Sequence, residues 1–117
     1  MKKIKSTSMK EVGVTNNPNV KKRMMITAED FGNIMSFGRA IFTPNQSASA
    51  HVHPDMKEVF FILPGNGVFH TKTENIKVEK DDFISISAGE THWQSNPFEE
   101  SLDLLFFGVK VQRILRQ

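Results

Sequence analysis

Short alternating segments separated by turn residues, with no long run of 3.6-residue period, set the limits on what this chain can become. Residues 34–42 (IMSFGRAIF) are apolar and rich in Phe, and residues 43–47 (TPNQS) read as the turn that closes them. Residues 68–73 (VFHTKT), 75–79 (NIKVE) and 83–87 (FISIS) alternate in hydrophobicity, with turns near Glu74 and Asn75 and at Lys80-Asp81-Asp82. Ala88-Gly89-Glu90-Thr91 is a further turn before His92-Trp93-Gln94, and residues 96–100 (NPFEE) form a loop. Residues 102–111 (LDLLFFGVKV) are the last long apolar strand, followed by a polar tail or short terminal helix over 112–117. The pattern predicts an antiparallel all-β barrel or sandwich. Ahead of it, residues 1–20 are polar and without a period, with 15–19 as a turn or loose loop, and they read as an N-terminal arm. Residues 20–27 (VKKRMMIT) are expected as a short edge strand, and 28–33 as a loop with room for a helical turn near Ala28. At 117 residues this is one domain, arm and edge strand over 1–30 and barrel over 34–111.

Charge is distributed unevenly. Residues 1–23 carry seven Lys or Arg against Glu11 alone, whereas residues 24–109 carry five basic residues against twelve acidic ones. The basic ends lack interleaved aromatics and any helix-turn-helix or zinc-finger pattern, so no nucleic-acid partner is expected. No apolar run approaches the ~20 residues of a membrane span, so no membrane partner is expected either. MKKIKSTSMK has no apolar segment behind its positive start, so it does not read as a secretory leader, and the expected location is cytoplasmic. With no Cys and no Tyr, disulfides, thiolate ligands, a cysteine nucleophile and a phenolic acid or base are all excluded.

Metal-ligand chemistry is concentrated in residues 51–67 (HVHPDMKEVFFILPGNG). On a strand, His51 and His53 would share a face, since residues two apart point the same way. Pro54 cannot donate to a ladder, so residues 54–57 read as a bend. Glu58, Phe60 and Ile62 then share a face of the next strand, which brings a carboxylate beside the imidazoles if the two strands pair antiparallel. Two imidazoles and a carboxylate suit a divalent transition metal (Mn, Fe, Co, Ni or Zn) better than Ca or Mg. Three of the four histidines fall in these residues and at His92. The fourth, His70, has no motif around it and reads as a solvated or packed strand residue.

These residues carry a family pattern: the sequence resembles the cupin superfamily, small antiparallel jelly-roll β-barrels. The first cupin motif, a glycine, a His-X-His pair, a glutamate and a closing glycine, is matched by His51, His53, Glu58 and Gly65, with Asn45 in place of its leading glycine. The second is matched by Gly89, His92 and Asn96, with Asp81 and Ser87 in place of its leading glycine and its proline. The resemblance implies that His51, His53, Glu58 and His92 converge on one divalent metal inside the barrel.

Around that metal, Gln94 shares the parity of His92 and is expected to face a substrate or a metal-bound water. Phe60 and Ile62 are expected to line the pocket. Arg39 is a candidate for a ligand anion, though its apolar neighbours leave its parity open. Trp93 should face outward. The resemblance implies a metalloenzyme of dioxygenase, isomerase or lyase type acting on a small polar ligand, with Glu58 as metal ligand and proton acceptor. The alternatives are a sugar- or carboxylate-binding module and a structural protein. A homodimer is expected, formed through the 20–27 edge.

Overall fold

The structure is a computed structural model that describes residues 1, 3–14 and 17–111; the expected tail or helix at 112–117 lies outside it. Nine strands run through the described residues: β1 (Glu11–Val14), β2 (Asn17–Thr27), β3 (Ile34–Phe42), β4 (Met56–Ile62), β5 (Asn66–Thr71), β6 (Asn75–Glu79), β7 (Phe83–Ile86), β8 (His92–Ser95) and β9 (Leu102–Lys110). All pairings are antiparallel. One sheet has the order β1-β2-β3-β9-β4-β7 and the other β6-β5-β8. The inner faces of the two sheets supply one core, in which Phe60 of β4 meets Phe69 of β5 edge to face at 5.0 Å between ring centroids. The all-β jelly roll that the turn pattern and the resemblance implied is therefore present, but its sheets are not closed into a continuous ladder. Isolated bridges at Ser47–Ser95 and His51–His92 join the segment between β3 and β4 to the smaller sheet.

Strict alternation builds the wall. Glu58, Phe60 and Ile62 of β4 are buried while Phe61 is exposed, and Leu102, Leu104 and Phe106 of β9 point inward while Phe107 does not. Complete burial of Ile62 alone stabilises the fold by about 1.5–3 kcal/mol. The turn after β4 packs against the start of β9: Gly65 has φ of 101°, and a Cβ there would lie 1.9 Å from the Ser101 carbonyl oxygen. Asn45 and Asp81, which stand where the cupin motifs carry glycine, have φ of 69° and 74°. Both keep the left-handed turn with side chains that tolerate it better than most.

The arm departs from expectation. It contains a 3₁₀ turn at Ser6–Ser8 and strand β1, which pairs with β2 from Glu11–Arg23 to Val14–Asn17. Residues 20–23 are therefore covered by β1, while 24–27 have no strand partner on that side among the described residues, and β2 begins earlier than expected, at Asn17. Only Val12 and Val14 gave β1 an alternating signal, too short to read against the polar residues around it. The open helical turn is realised as Ala28–Phe31, capped by Thr27 and Asp30. No helix among the described residues is long and apolar enough to cross a membrane.

Candidate metal centre

The site assembles from the β3–β4 segment, β8 and β4. His51 and His92 exchange both backbone hydrogen bonds, N–H to O=C at 3.0 and 2.9 Å, so they form a directly opposed pair with their side chains on one face. Their rings lie 4.3 Å apart. The histidine segment is not the regular strand that its spacing predicted. The bridges at Ser47–Ser95 and His51–His92 leave one residue more on the histidine side, which interrupts the ladder. His53 nevertheless stays close, its ring 5.2 Å from that of His51. Glu58 does not come from a strand paired with this segment. β4 pairs with β7 and β9, and Glu58 reaches the imidazoles from the opposite sheet.

His51, Glu58 and His92 each place a ligand atom within 4.8 Å of the other two. His53 stands at the rim of this cluster, with Nε2 at 3.5 Å from Glu58 Oε1 and a side chain 38% exposed. The ring tautomers are set from outside. His51 Nδ1 donates to the Ser49 carbonyl and His92 Nδ1 to the Glu90 carbonyl, both at 2.9 Å. A carbonyl only accepts, so in each neutral ring the lone pair is on Nε2, the nitrogen available to a metal.

Three atoms show what the site lacks in protein partners. Glu58 Oε1, His92 Nε2 and Gln94 Nε2 are shut off from solvent, and none has a hydrogen-bond partner among the described residues. Glu58 Oε1 and His92 Nε2 lie 2.9 Å apart but are not aligned as donor and acceptor. Burying such atoms without compensation costs about 1–3 kcal/mol each, and more when charged. A cation between them would satisfy both, and the set of imidazoles with a carboxylate fits a first-row transition ion. Protons compete for the same position. Burial pushes the His92 imidazole down, but nearby Glu58 and the Glu90 carbonyl more than offset this, and its pKa is raised. His51 moves the other way: burial lowers it, against the opposing effect of the Ser49 carbonyl.

A cavity of about 300 Å³ opens beside the cluster, bounded by His51, His53, Glu58 and Gln94 at one end. Phe60 lines it, with Met24, Met35 and Met56 among the other apolar walls. Two expected pocket residues are elsewhere. Ile62 is fully buried in the core and does not reach the cavity. Arg39 is on the outer face of its sheet, because Ala40 and Phe42 take the inward parity of β3. There its Nε donates to Asp103 Oδ1 at 2.8 Å and its second nitrogen to Oδ2, and this hydrogen-bonded pairing raises the guanidinium pKa. Trp93 faces away from the site and stacks on His70, with rings 5.0 Å apart and 11° from parallel. His70 is also within hydrogen-bond distance of Asn75 and Ser95, which accounts for it as a packed strand residue. Lys22 was not among the expected pocket residues. Its parity with Val20 and Met24 was legible, but Lys22 belongs to the basic residues 1–23, and such runs are ordinarily solvated.

The fold and the histidine–glutamate cluster define a class, and comparison with known proteins names it. The cupin domain family matches residues 38–108, and the chain belongs to that family. An oxalate-binding protein of Thermotoga maritima is 30% identical over 69 residues, 59% of this chain and 57% of that protein, so the chain spans less than two thirds of that relative's length. Among solved structures, a predicted oxalate decarboxylase from Thermotoga maritima superposes with a TM-score of 0.86 at 22% identity, covering 94% of this chain and all of that one. The polyketide cyclase RemF from Streptomyces resistomycificus superposes with a TM-score of 0.76 at 19% identity, covering all of this chain and 88% of that one.

Proposed function

We propose that the chain holds one divalent transition metal (Mn, Fe, Co, Ni or Zn) on His51, His53, Glu58 and His92, and acts as a metalloenzyme of dioxygenase, isomerase or lyase type on a small oxygen-bearing substrate. The observation that carries this reading is the pair of unpartnered, buried atoms Glu58 Oε1 and His92 Nε2, 2.9 Å apart, beside a cavity that Glu58 and Gln94 line. When bound, the metal would supply Lewis-acid polarisation of a chelating oxygen. The chain supplies the rest. Glu58 accepts a proton from the bound substrate, Gln94 Nε2 donates to a substrate oxygen, and Phe60 with the methionine walls excludes water from the reacting end.

The relative named as an oxalate-binding protein supports a second reading, in which the same centre binds a carboxylate without turnover. The test begins with elemental analysis of protein purified without added metal, alongside His51→Ala and Glu58→Ala. Metal in the wild type only, with oxygen uptake or substrate loss over a panel of small oxo acids, supports the enzyme. Stable metal with tight oxalate binding and no turnover supports the binding module. Equal, negligible metal in all three proteins overturns both.

We also propose a homodimer, formed through the outer face of the six-stranded sheet rather than through β2, whose edge β1 covers from Asn17 to Arg23. Phe61, Phe83 and Phe107 are exposed on that face, and the register places Phe61 beside Phe83 and Leu105. Arg39 on that face is paired with Asp103, so it adds no unpaired charge where two copies would meet by a twofold axis. Sedimentation at micromolar concentration should give a dimer that Phe83→Asp dissociates; a wild-type monomer ends the proposal. A cytoplasmic location is proposed on composition.

A further inference from the structure

The cavity has two chemically distinct ends, and only one belongs to the metal cluster. On the inner face of the large sheet the registers line up residues in rows across the strands. Glu58 lies in the row of Ser36 and Gly108, Phe60 in the row of Gly38 and Phe106, and Ile62 in the row of Ala40 and Leu104. Lys22 pairs with Ala40 and so stands in the third row, with the two aromatic rings between it and Glu58. Four residues of strand, roughly 13 Å, separate the first row from the third. The Lys22 side chain lines the cavity, and its Nζ lies 6.0 Å from the centre of the Phe106 ring. Phe106 in turn lies 6.5 Å from Phe60, and Phe60 6.2 Å from His92.

Among the described residues no carboxylate comes within ion-pair distance of Lys22, although Arg23 and Arg39, on the outer face, each have one. A cation over an apolar wall with no anion of its own is suited to one that the ligand brings. The cavity is also larger than a two-carbon dianion requires, and most of its wall is methionine, phenylalanine and other apolar side chains.

We propose that the pocket takes a bifunctional anion: chelating oxygens at the metal end, an apolar span along Phe60 and Phe106, and a second anionic group held by Lys22. This rests on the metal-centre reading and extends it to the ligand's class and length. Oxalate would then occupy only the metal end. Lys22 is a specificity-determining residue in this scheme and takes no part in the chemistry at the metal.

The test uses the full chain loaded with Mn or Ni and three probes, with affinities measured by calorimetry. Pyruvate presents the 2-oxo acid head alone. 2-Oxooctanoate adds an apolar span, and 2-oxosuberate adds the span and a distal carboxylate. Affinity is expected to rise in that order, with 2-oxosuberate about fivefold tighter than 2-oxooctanoate. Lys22→Met should remove that fivefold gap and leave pyruvate unchanged, and Lys22→Arg should restore it. The proposal is overturned if pyruvate binds as tightly as the long probes, or if Lys22→Met leaves the gap intact. A protein that binds metal but none of the probes overturns it equally while leaving the metal centre standing. Failure to bind metal removes the functional reading itself, and this inference with it.

Discussion

His92, Gln94 and Asn96 occupy alternate positions along one inward-facing run, all almost fully buried, and they meet opposite fates. Asn96 is satisfied on every side that the fold requires. Its Nδ2 donates to the Phe42 and Glu100 carbonyls at 2.8 and 2.7 Å, and its Oδ1 accepts from the Phe98 N–H at 3.0 Å. Two and four residues earlier, Gln94 Nε2 and His92 Nε2 have no partner among the described residues. Burial is the same, so burial does not mark function. The difference lies in whether the chain itself completes the polar group: Asn96 ties β3 to the loop before β9, whereas no described residue completes the other two.

The largest effect should come from removing the unsatisfied side. Glu58→Ala or His92→Ala is expected to weaken metal binding by about a thousandfold or more, because each removes a proposed ligand. Above the folded pKa of His92, stability of the metal-free protein should change little in Glu58→Ala, or rise in Glu58→Gln, which removes a buried charge. Calorimetric metal titration beside thermal melts measures both, and a large loss of metal-free stability would show these residues to be structural like Asn96. Asn96→Ala tests the converse. It should cost about 2–4 kcal/mol in denaturant unfolding, since two carbonyls and an N–H lose their partners in the interior. The folded fraction should retain its metal affinity within a few-fold.

Acid should separate the two ends of the run next. Asn96 does not titrate, whereas a metal needs the His92 and His51 nitrogens free of protons. His92 is raised above the ordinary imidazole value of 6.5, so in the metal-free protein it adds stability below that value and loses it as pH rises through its folded pKa. His51 is lowered, so its contribution has the opposite sign and is lost as pH falls below 6.5. Metal affinity should therefore begin to fall on acidification above pH 6.5, with His92 as the first competitor, by up to about tenfold per pH unit for each proton displaced. An affinity flat from pH 8 to 5.5 would contradict the assignment of these nitrogens as ligands.

Strand parity made much of this legible, and its failures are local. Residues 34–42 and 75–79 stand as strands with the expected bounds, because alternation and flanking turn residues agree there. The motif match named His51, Glu58 and the distant His92, whose ligand atoms lie within 4.8 Å of one another, and His53 at their rim. Geometry between sheets was not legible: the sequence suggested that Glu58 approached His51 from a neighbouring strand, when it crosses from the other sheet. Nor was the one-residue irregularity that breaks the histidine strand. The inward path of Lys22 was obscured because charge runs usually mean solvent, and the parity of Arg39 because apolar residues flank it on both registers.

Arg39 yields the smallest expected effect and the sharpest contrast with the lysine across the sheet. It sits on the outer face, its guanidinium forked onto Asp103, while Lys22 at the neighbouring inward position has no carboxylate within reach among the described residues. The fork onto Asp103 offsets the guanidinium charge and holds the side chain on the face away from the cavity. Its side chain is 36% exposed, so solvent screens the pair, and Arg39→Met should cost at most about 1 kcal/mol of stability. Metal affinity and affinity for oxalate should both be unchanged. The comparison breaks if Arg39→Met weakens ligand binding more than Lys22→Met does, because the anion would then be held from the face that β3 turns away from the cavity.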